Sequence, residues 1–245
     1  SSASFRRKEK QYFIEGIRLC EDAVISKVDI KEVCYTEEAY EKYKDYIDKI
    51  LQLNVNSYIF SKEVFSKISD TKTPQGVACL CNMLDKHLDL DKINNKGKYI
   101  ILENIQDPIN LGTILRTAEA LGINGIFISL NSCDVYSPKV LRGSMGAVFR
   151  LPIYFFNNIE EIINIFNSKN IKTYASVPLN NDKDISEINF KEGCAIAIGN
   201  EGNGLTKEAI SLCSQSVTIP MSGKAESLNA AMACGIIMWE MMKRR

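Results

Sequence analysis

Asn110, Gly112 and Arg116 in NIQDPINLGTILRTAEALG (104–122), Glu201 among Gly199, Gly202 and Gly204 in AIAIGNEGNGL (195–205), and Ser227 and Asn229 in IPMSGKAESLNAAMACG (219–235) have types and spacings that could do chemistry. In each segment an apolar stretch runs into a loop of small or polar residues followed by a helical pattern, which is how an α/β protein builds a ligand site beyond its strand ends. Arg116, four residues beyond Gly112 near a helix start, offers a fork of donors suited to a phosphate or carboxylate. The glycines of the second segment permit close approach of backbone to a ligand. Their G-x-x-G-x-G spacing is neither the dinucleotide fingerprint nor the phosphate loop. Ser227 and Asn229 can either cap a helix or bind substrate.

The elements that would position these residues alternate from Tyr99 onward. YIILE, GIFISL, LPIYFF, IKTYASV, GCAIAIG and SVTIP read as strands. Helices are expected over LGTILRTAEALG, closed by Gly122, over IEEIINIFNSK, after Leu205, and from Ser227 to the C-terminus. SPKVLRGSMGAVFR (137–150) reads as a loop, and 178–193 as a polar excursion. Such alternation implies a parallel sheet covered on both faces. Leu228, Ala231, Met232, Gly235, Ile236 and Trp239 share one apolar helical face, suited to the core or to close subunit packing.

Residues 11–84 form a smaller α/β pattern. QYFIEGIRLCEDAVIS reads as a helix, EVCYT as a strand, roughly 36–51 as a charged helix, SYIF as a strand, SKEVFSKIS as a helix opened by Ser61, and GVACLCNML as a strand. The polar stretch 85–98 reads as a connection with a frayed helical turn. This gives an N-terminal domain over 1–90, a linker over 91–98 and a C-terminal domain over 99–245.

Thirty Lys and Arg balance thirty Asp and Glu among 245 residues, so nucleic-acid binding must come from local patches such as Arg6, Arg7, Lys8 and Lys10, or Lys243 to Arg245. Eight scattered cysteines without a C-x-x-C pair, and a single histidine, His87, argue against a zinc site. The cysteines read as small core hydrophobes, and reduced thiols point to a cytoplasmic protein. No secretory signal is visible. The longest uncharged apolar stretch, Ala230 to Trp239, falls short of the roughly 20 residues of a membrane span. Ser1 in place of an initiator Met suggests a trimmed N-terminus.

The ordered triple N-x-G-x-x-x-R, G-N-E-G-x-G-L and I-P-M-x-G-x-x-E-S-L-N resembles the three motifs of the SpoU branch of the SPOUT methyltransferases, which methylate ribose 2′-hydroxyls of RNA. EGIRLCEDAV and TPQGVACL are similar to the RNA substrate-binding domain that precedes the catalytic domain in many members. The resemblance implies a C-terminal parallel sheet with a deep trefoil knot, S-adenosylmethionine as cofactor and a homodimer; from composition and hydropathy neither a metal nor a membrane is expected. It implies catalytic or positioning roles for Arg116, Asn110, Glu201, Ser227 and Asn229, with Glu201 holding Arg116 or the loops. Cofactor contacts are implied for Gly199, Ile219, Leu228, Glu201, Gly204 and Met221, and RNA contacts for Arg6, Arg7, Lys8 and Arg142. Ribosomal RNA is favoured as substrate, with transfer RNA the alternative. A nonenzymatic RNA-binding protein on the same fold would lack Arg116 or the Gly199 loop, and an oxidoreductase would need the missing dinucleotide fingerprint.

Overall fold

The computed structural model describes residues 2–84, 93–178 and 183–243, so the expected frayed turn, His87 and the terminal Arg244 and Arg245 lie outside the described residues. The chain forms two compact units. One comprises residues 1–85 and 134–150, the other 86–133 and 151–245.

The first unit opens with α1 (Ala3–Glu9) and carries a four-stranded sheet in the order β1 (Gln11–Glu15), β4 (Val77–Asn82), β2 (Ile30–Tyr35), β3 (Asn56–Ile59). The expected single helix over QYFIEGIRLCEDAVIS is instead β1 followed by α2 (Ile17–Ile25). Gly16, at φ 96°, turns the chain between them, and Tyr12 and Ile14 are buried with a period of two. The helix expected over 36–51 divides at Tyr43 into α3 (Glu37–Lys42) and α4 (Lys44–Leu51), and Ser61 caps α5 (Lys62–Ile68) as expected.

SPKVLRGSMGAVFR is not a loop. Ser137 caps α7 (Pro138–Ser144), Pro138 occupies its first position, Met145 ends it in the left-handed conformation, and α8 (Ala147–Arg150) follows. This segment packs with the first unit, although the sequence places it in the C-terminal domain. Tyr136 lies against Tyr12 with ring centroids 4.6 Å apart, and Asp134 receives a 2.9 Å hydrogen bond from Arg6 Nε.

The second unit is a seven-stranded sheet in the order β7 (Ile153–Phe156), β6 (Gly125–Ser129), β5 (Lys98–Leu102), β10 (Cys194–Ile198), β8 (Lys172–Ser176), β11 (Gln215–Thr218), β9 (Lys183–Asp184). Every pair is parallel. The central strands are buried along their whole length, which explains the apolar runs YIIL, GIFI and CAIAI within them. Strand β9, in the polar excursion, has no apolar pattern to announce it and joins the sheet through its backbone.

On one face Tyr99, Phe127 and Phe166 form an aromatic core with Ile162 and Ile163 of α9 (Ile159–Ser168). α6 (Pro108–Leu121) packs against α11 (Ala230–Met242). α6 begins at Pro108, three residues before the expected start, with Asp107 as cap and Gly122 closing it at φ 77°. α11 begins at Ala230 with Asn229 as cap, so Ser227 and Leu228 precede the helix. Six of the eight cysteines are buried; burial pushes Cys194 and Cys213 up to about 11, which keeps both neutral at physiological pH. No described helix is long and apolar enough to cross a membrane.

Candidate functional site

A parallel sheet brings the carboxyl ends of its strands to one edge, and there the loops after β5, β8, β10 and β11 meet. The loop after β10 is drawn tight. Asn200 and Gly204 exchange two backbone hydrogen bonds of 3.1 and 2.9 Å, while Asn200 Oδ1 accepts from the amides of Gly202 and Asn203 at 2.8 and 3.0 Å. Gly204 sits at φ 68°. At Gly199 the neighbouring chain passes so close that a Cβ would lie 2.1 Å from the carbonyl carbon of Gly204 and 2.2 Å from the nitrogen of Leu205. This loop leads into α10 (Lys207–Leu212), whose cap Thr206 is held by the buried carboxylate of Glu103 through its amide and hydroxyl, both at 2.8 Å. Glu103 was not singled out in the sequence. The signal available was a carboxylate ending an otherwise apolar strand.

Inside these loops lies a cavity of about 390 Å³. Gly199, Glu201, Gly204, Ile219, Met221 and Leu228, the six expected cofactor contacts, all line it, and so does Ser227. Its floor is apolar, with Ile198, Leu205 and Ile210 beside Ile219. The size and lining suit a flat heteroaromatic group recognised mainly by backbone groups.

A polar relay joins the three sequence segments. Glu201 Oε1 accepts 3.0 Å from Asn110 Nδ2 and 3.2 Å from the amide of Asp107, and Oε2 accepts 3.2 Å from the amide of Gln106. Asn110 Oδ1 accepts 3.0 Å from Asn229 Nδ2, and Asn229 Oδ1 caps α11 by accepting from Ala231 at 2.9 Å and Met232 at 3.3 Å. Burial pushes the Glu201 carboxyl upward. The hydrogen bonds from Asn110 and from the backbone amides of Glu201 itself, Gln106 and Asp107 outweigh this and hold it below the usual carboxylate range.

Within one chain Glu201 holds its own loop to the start of α6. Asn110 is 5% exposed and turned inward, whereas Arg116 stands on the exposed stripe of α6 with Ile109 and Thr113, outside the lining of the cavity. The face expected on the last helix divides as well. Ala231 is buried, while Met232, Ile236 and Trp239 are exposed, Met232 and Trp239 at 61% and 59%. Among the described residues no group of His, Cys, Asp or Glu is placed to hold a metal ion.

Of the expected RNA contacts, Arg7 and Lys8 are exposed on α1. Arg6 is not available as one: it is 6% exposed and its guanidinium is bound to Asp134 at 2.5 Å within the first unit. Arg142 is half-buried and paired with Asp70 at 2.9 Å.

Comparison with known proteins adds to this geometry. The SpoU rRNA Methylase family matches residues 97–239, and the MRM3-like substrate binding domain matches residues 2–79. The chain is 32% identical to an uncharacterised tRNA/rRNA methyltransferase of Synechocystis, covering 98% of this chain and 86% of that protein. It is 30% identical to the 23S rRNA (guanosine(2553)-2′-O)-methyltransferase RlmP of Bacillus subtilis, covering 96% and 90%. The crystal structure of an AdoMet-bound rRNA methyltransferase from Sinorhizobium meliloti superposes with a TM-score of 0.86 at 28% identity, covering 98% and 90%.

Proposed function

We propose that this chain, which belongs to the SpoU rRNA methylase family, transfers the methyl group of S-adenosylmethionine to a ribose 2′-hydroxyl of RNA, with ribosomal RNA favoured over transfer RNA. The observation that carries this reading is the cavity at the sheet edge, lined by the glycine loop and by Ile219 and Leu228, with Glu201 of its lining tied through Asn110 to Asn229. The Gly199 crossing tests the fit: any larger residue would put a side chain where the loop must close, so the loop is shaped for backbone contact with a ligand. S-adenosylmethionine, when bound, supplies an electrophilic methyl on a sulfonium. Ile219, Leu228 and Ile210 would enclose its adenine, and Ser227, Glu201 and backbone groups of 199–204 would orient its polar parts.

Arg116 is assigned to the acceptor. A guanidinium with a pKa above about 12 is a poor free base, so Arg116 orients the ribose and stabilises the alkoxide that develops as the hydroxyl loses its proton. Its solvent-facing position on α6, away from the cavity of its own chain, supports a homodimer in which Arg116 of one subunit serves the cavity of the other. The exposed Met232, Ile236 and Trp239 on α11, which packs beside α6, offer the apolar surface for that pairing. The first unit is assigned to RNA binding on the strength of the substrate-binding-domain match over 2–79.

The deciding experiment uses a 23S rRNA transcript with S-adenosylmethionine and maps the methylated nucleotide. A substrate with a single 2′-deoxy substitution there should bind nearly normally and accept no methyl group. Methylation of that substrate would mean a base acceptor and overturn the reading.

A further inference from the structure

In the first unit the surface segment 69–75, between α5 and β4, is tied down more heavily than a connecting loop needs. Glu15, the last residue of β1, accepts 2.6 Å from Ser69 Oγ, 2.6 Å from Thr71 Oγ1 and 3.0 Å from the Asp70 amide. Ser69 Oγ in turn accepts 3.0 Å from the Thr71 amide. A second tether comes from α7, where Arg142 pairs with Asp70 at 2.9 Å. A third is Gln75, whose Oε1 accepts 2.9 Å from the Ile17 amide in the first turn of α2. One carboxylate, one guanidinium and one amide from three elements thus fix seven residues of loop.

The charges are sorted as well. Asp70 is spent on Arg142, and Glu15 is turned into the loop's own hydroxyls and amide. Lys72, within the loop, and Arg18, next to the tethered Ile17, are both exposed and enter no ion pair among the described residues. A rigid loop that neutralises its acids internally and leaves its bases to solvent is built to meet a polyanion with little loss of conformational entropy on binding.

We infer that the 69–75 loop is a pre-shaped RNA-docking element, with Lys72 and Arg18 as phosphate contacts and Glu15 as the positioning residue that holds its form. This rests on the proposed RNA substrate and adds a location and a device to it. Arg142 then acts as a clamp on Asp70 and not as an RNA contact.

The test measures binding and turnover separately on the full chain with a 23S rRNA transcript. Lys72→Ala with Arg18→Ala should make the plot of log affinity against log salt shallower by about 1.5, the share of two phosphate contacts. Glu15→Ala should raise the KM for RNA several-fold and leave kcat and S-adenosylmethionine affinity unchanged, and Glu15→Gln, which keeps an acceptor oxygen, should recover part of the loss. An unchanged salt slope in the double variant overturns the inference. A Glu15→Ala effect confined to melting temperature or kcat overturns the positioning role. Because binding is read apart from methyl transfer, a wild-type chain that binds the transcript without methylating it would count against the proposed reaction, and the slope would still decide the loop.

Discussion

Gly199→Ala isolates the crossing at the cavity wall. Gly199 is outside the left-handed backbone region, so the penalty of an added methyl is contact alone. The new Cβ would stand 2.1 Å from Gly204 C, 2.2 Å from Leu205 N and 2.3 Å from Gly204 O, all backbone atoms with no rotamer to escape into. Reaching ordinary contact at 3.4 Å requires the strands of the loop to part by about 1.3 Å. That movement breaks the paired Asn200–Gly204 hydrogen bonds and pulls Leu205 and Thr206 against the Glu103 clamp. Two lost hydrogen bonds at about 1 kcal/mol each and overpacking of about 1–3 kcal/mol give a penalty of roughly 3–5 kcal/mol. The damage falls on the cavity wall, so calorimetric titration with S-adenosylmethionine should show affinity reduced at least about a hundredfold, the equivalent of about 2.7 kcal/mol. Two neighbours serve as controls. Gly202→Ala meets only Asn200 Oδ1 at 3.5 Å and should be near neutral. Gly204→Ala meets nothing within 4 Å but must hold φ at 68°, at about 1–2 kcal/mol. Affinity in Gly199→Ala within threefold of wild type, or a Gly202→Ala loss as large, would refute the argument.

Leu228→Arg should fill the adenine slot and abolish cofactor binding while circular dichroism and melting remain close to wild type, because Leu228 lies outside α11 and is partly exposed. Arg116→Ala should leave S-adenosylmethionine affinity within a few-fold and remove single-turnover methylation, since the lost interaction belongs mainly to the transition state. For Glu201 the folded carboxyl is held below its usual value of about 4.5, so its contribution to stability is present above that value and is lost as pH falls through the lower folded value; Glu201→Gln should flatten this part of the acid limb of a pH–stability curve. A fragment beginning near Lys92 leaves Asp134 without Arg6 and Tyr136 without Tyr12, and should be more aggregation-prone than one in which residues 134–150 are replaced by a short polar linker, as measured by light scattering.

The lining of the cavity was legible because it depends on local chemistry. Glycines after a buried strand, an Ile-Pro strand end and a small-residue loop are local signals, and Gly199, Ile219 and Leu228 line the cavity as the motifs imply. The start of α11 was misread by three residues because Ser227 and Asn229 are equally good caps by type, and only Asn229 takes the position. Arg6 failed for a nonlocal reason: its partner Asp134 is 128 positions away in sequence, and a charge run cannot reveal which member is turned inward. The segment 137–150, read as a loop, had a readable helix signal, Ser-Pro at its start and Met-Gly at its end, which mark a helix with both caps. Its place in the first unit had none, because that depends on Tyr12 and Tyr136 meeting. Strand β9 was hidden because two backbone-paired residues carry no hydrophobic period.

The order of the three motifs has a physical basis in the side chain of Asn110. Its amide must donate to Glu201 at 3.0 Å on one arm and accept from Asn229 at 3.0 Å on the other, from a position that is 5% exposed. Aspartate would set a carboxylate against Glu201, and leucine would leave Glu201 and Asn229 each short of a partner. Glutamine carries the same groups one methylene further out, past both partners. Asn229 is constrained in the same way, since its carbonyl oxygen is already committed to the amides of α11 and only its NH2 remains for Asn110. The identity of each residue therefore follows from the one before it, from the glycine loop through the start of α6 to the start of α11. A change at any link alters the others, which couples the wall of the cavity to the helix that carries Arg116.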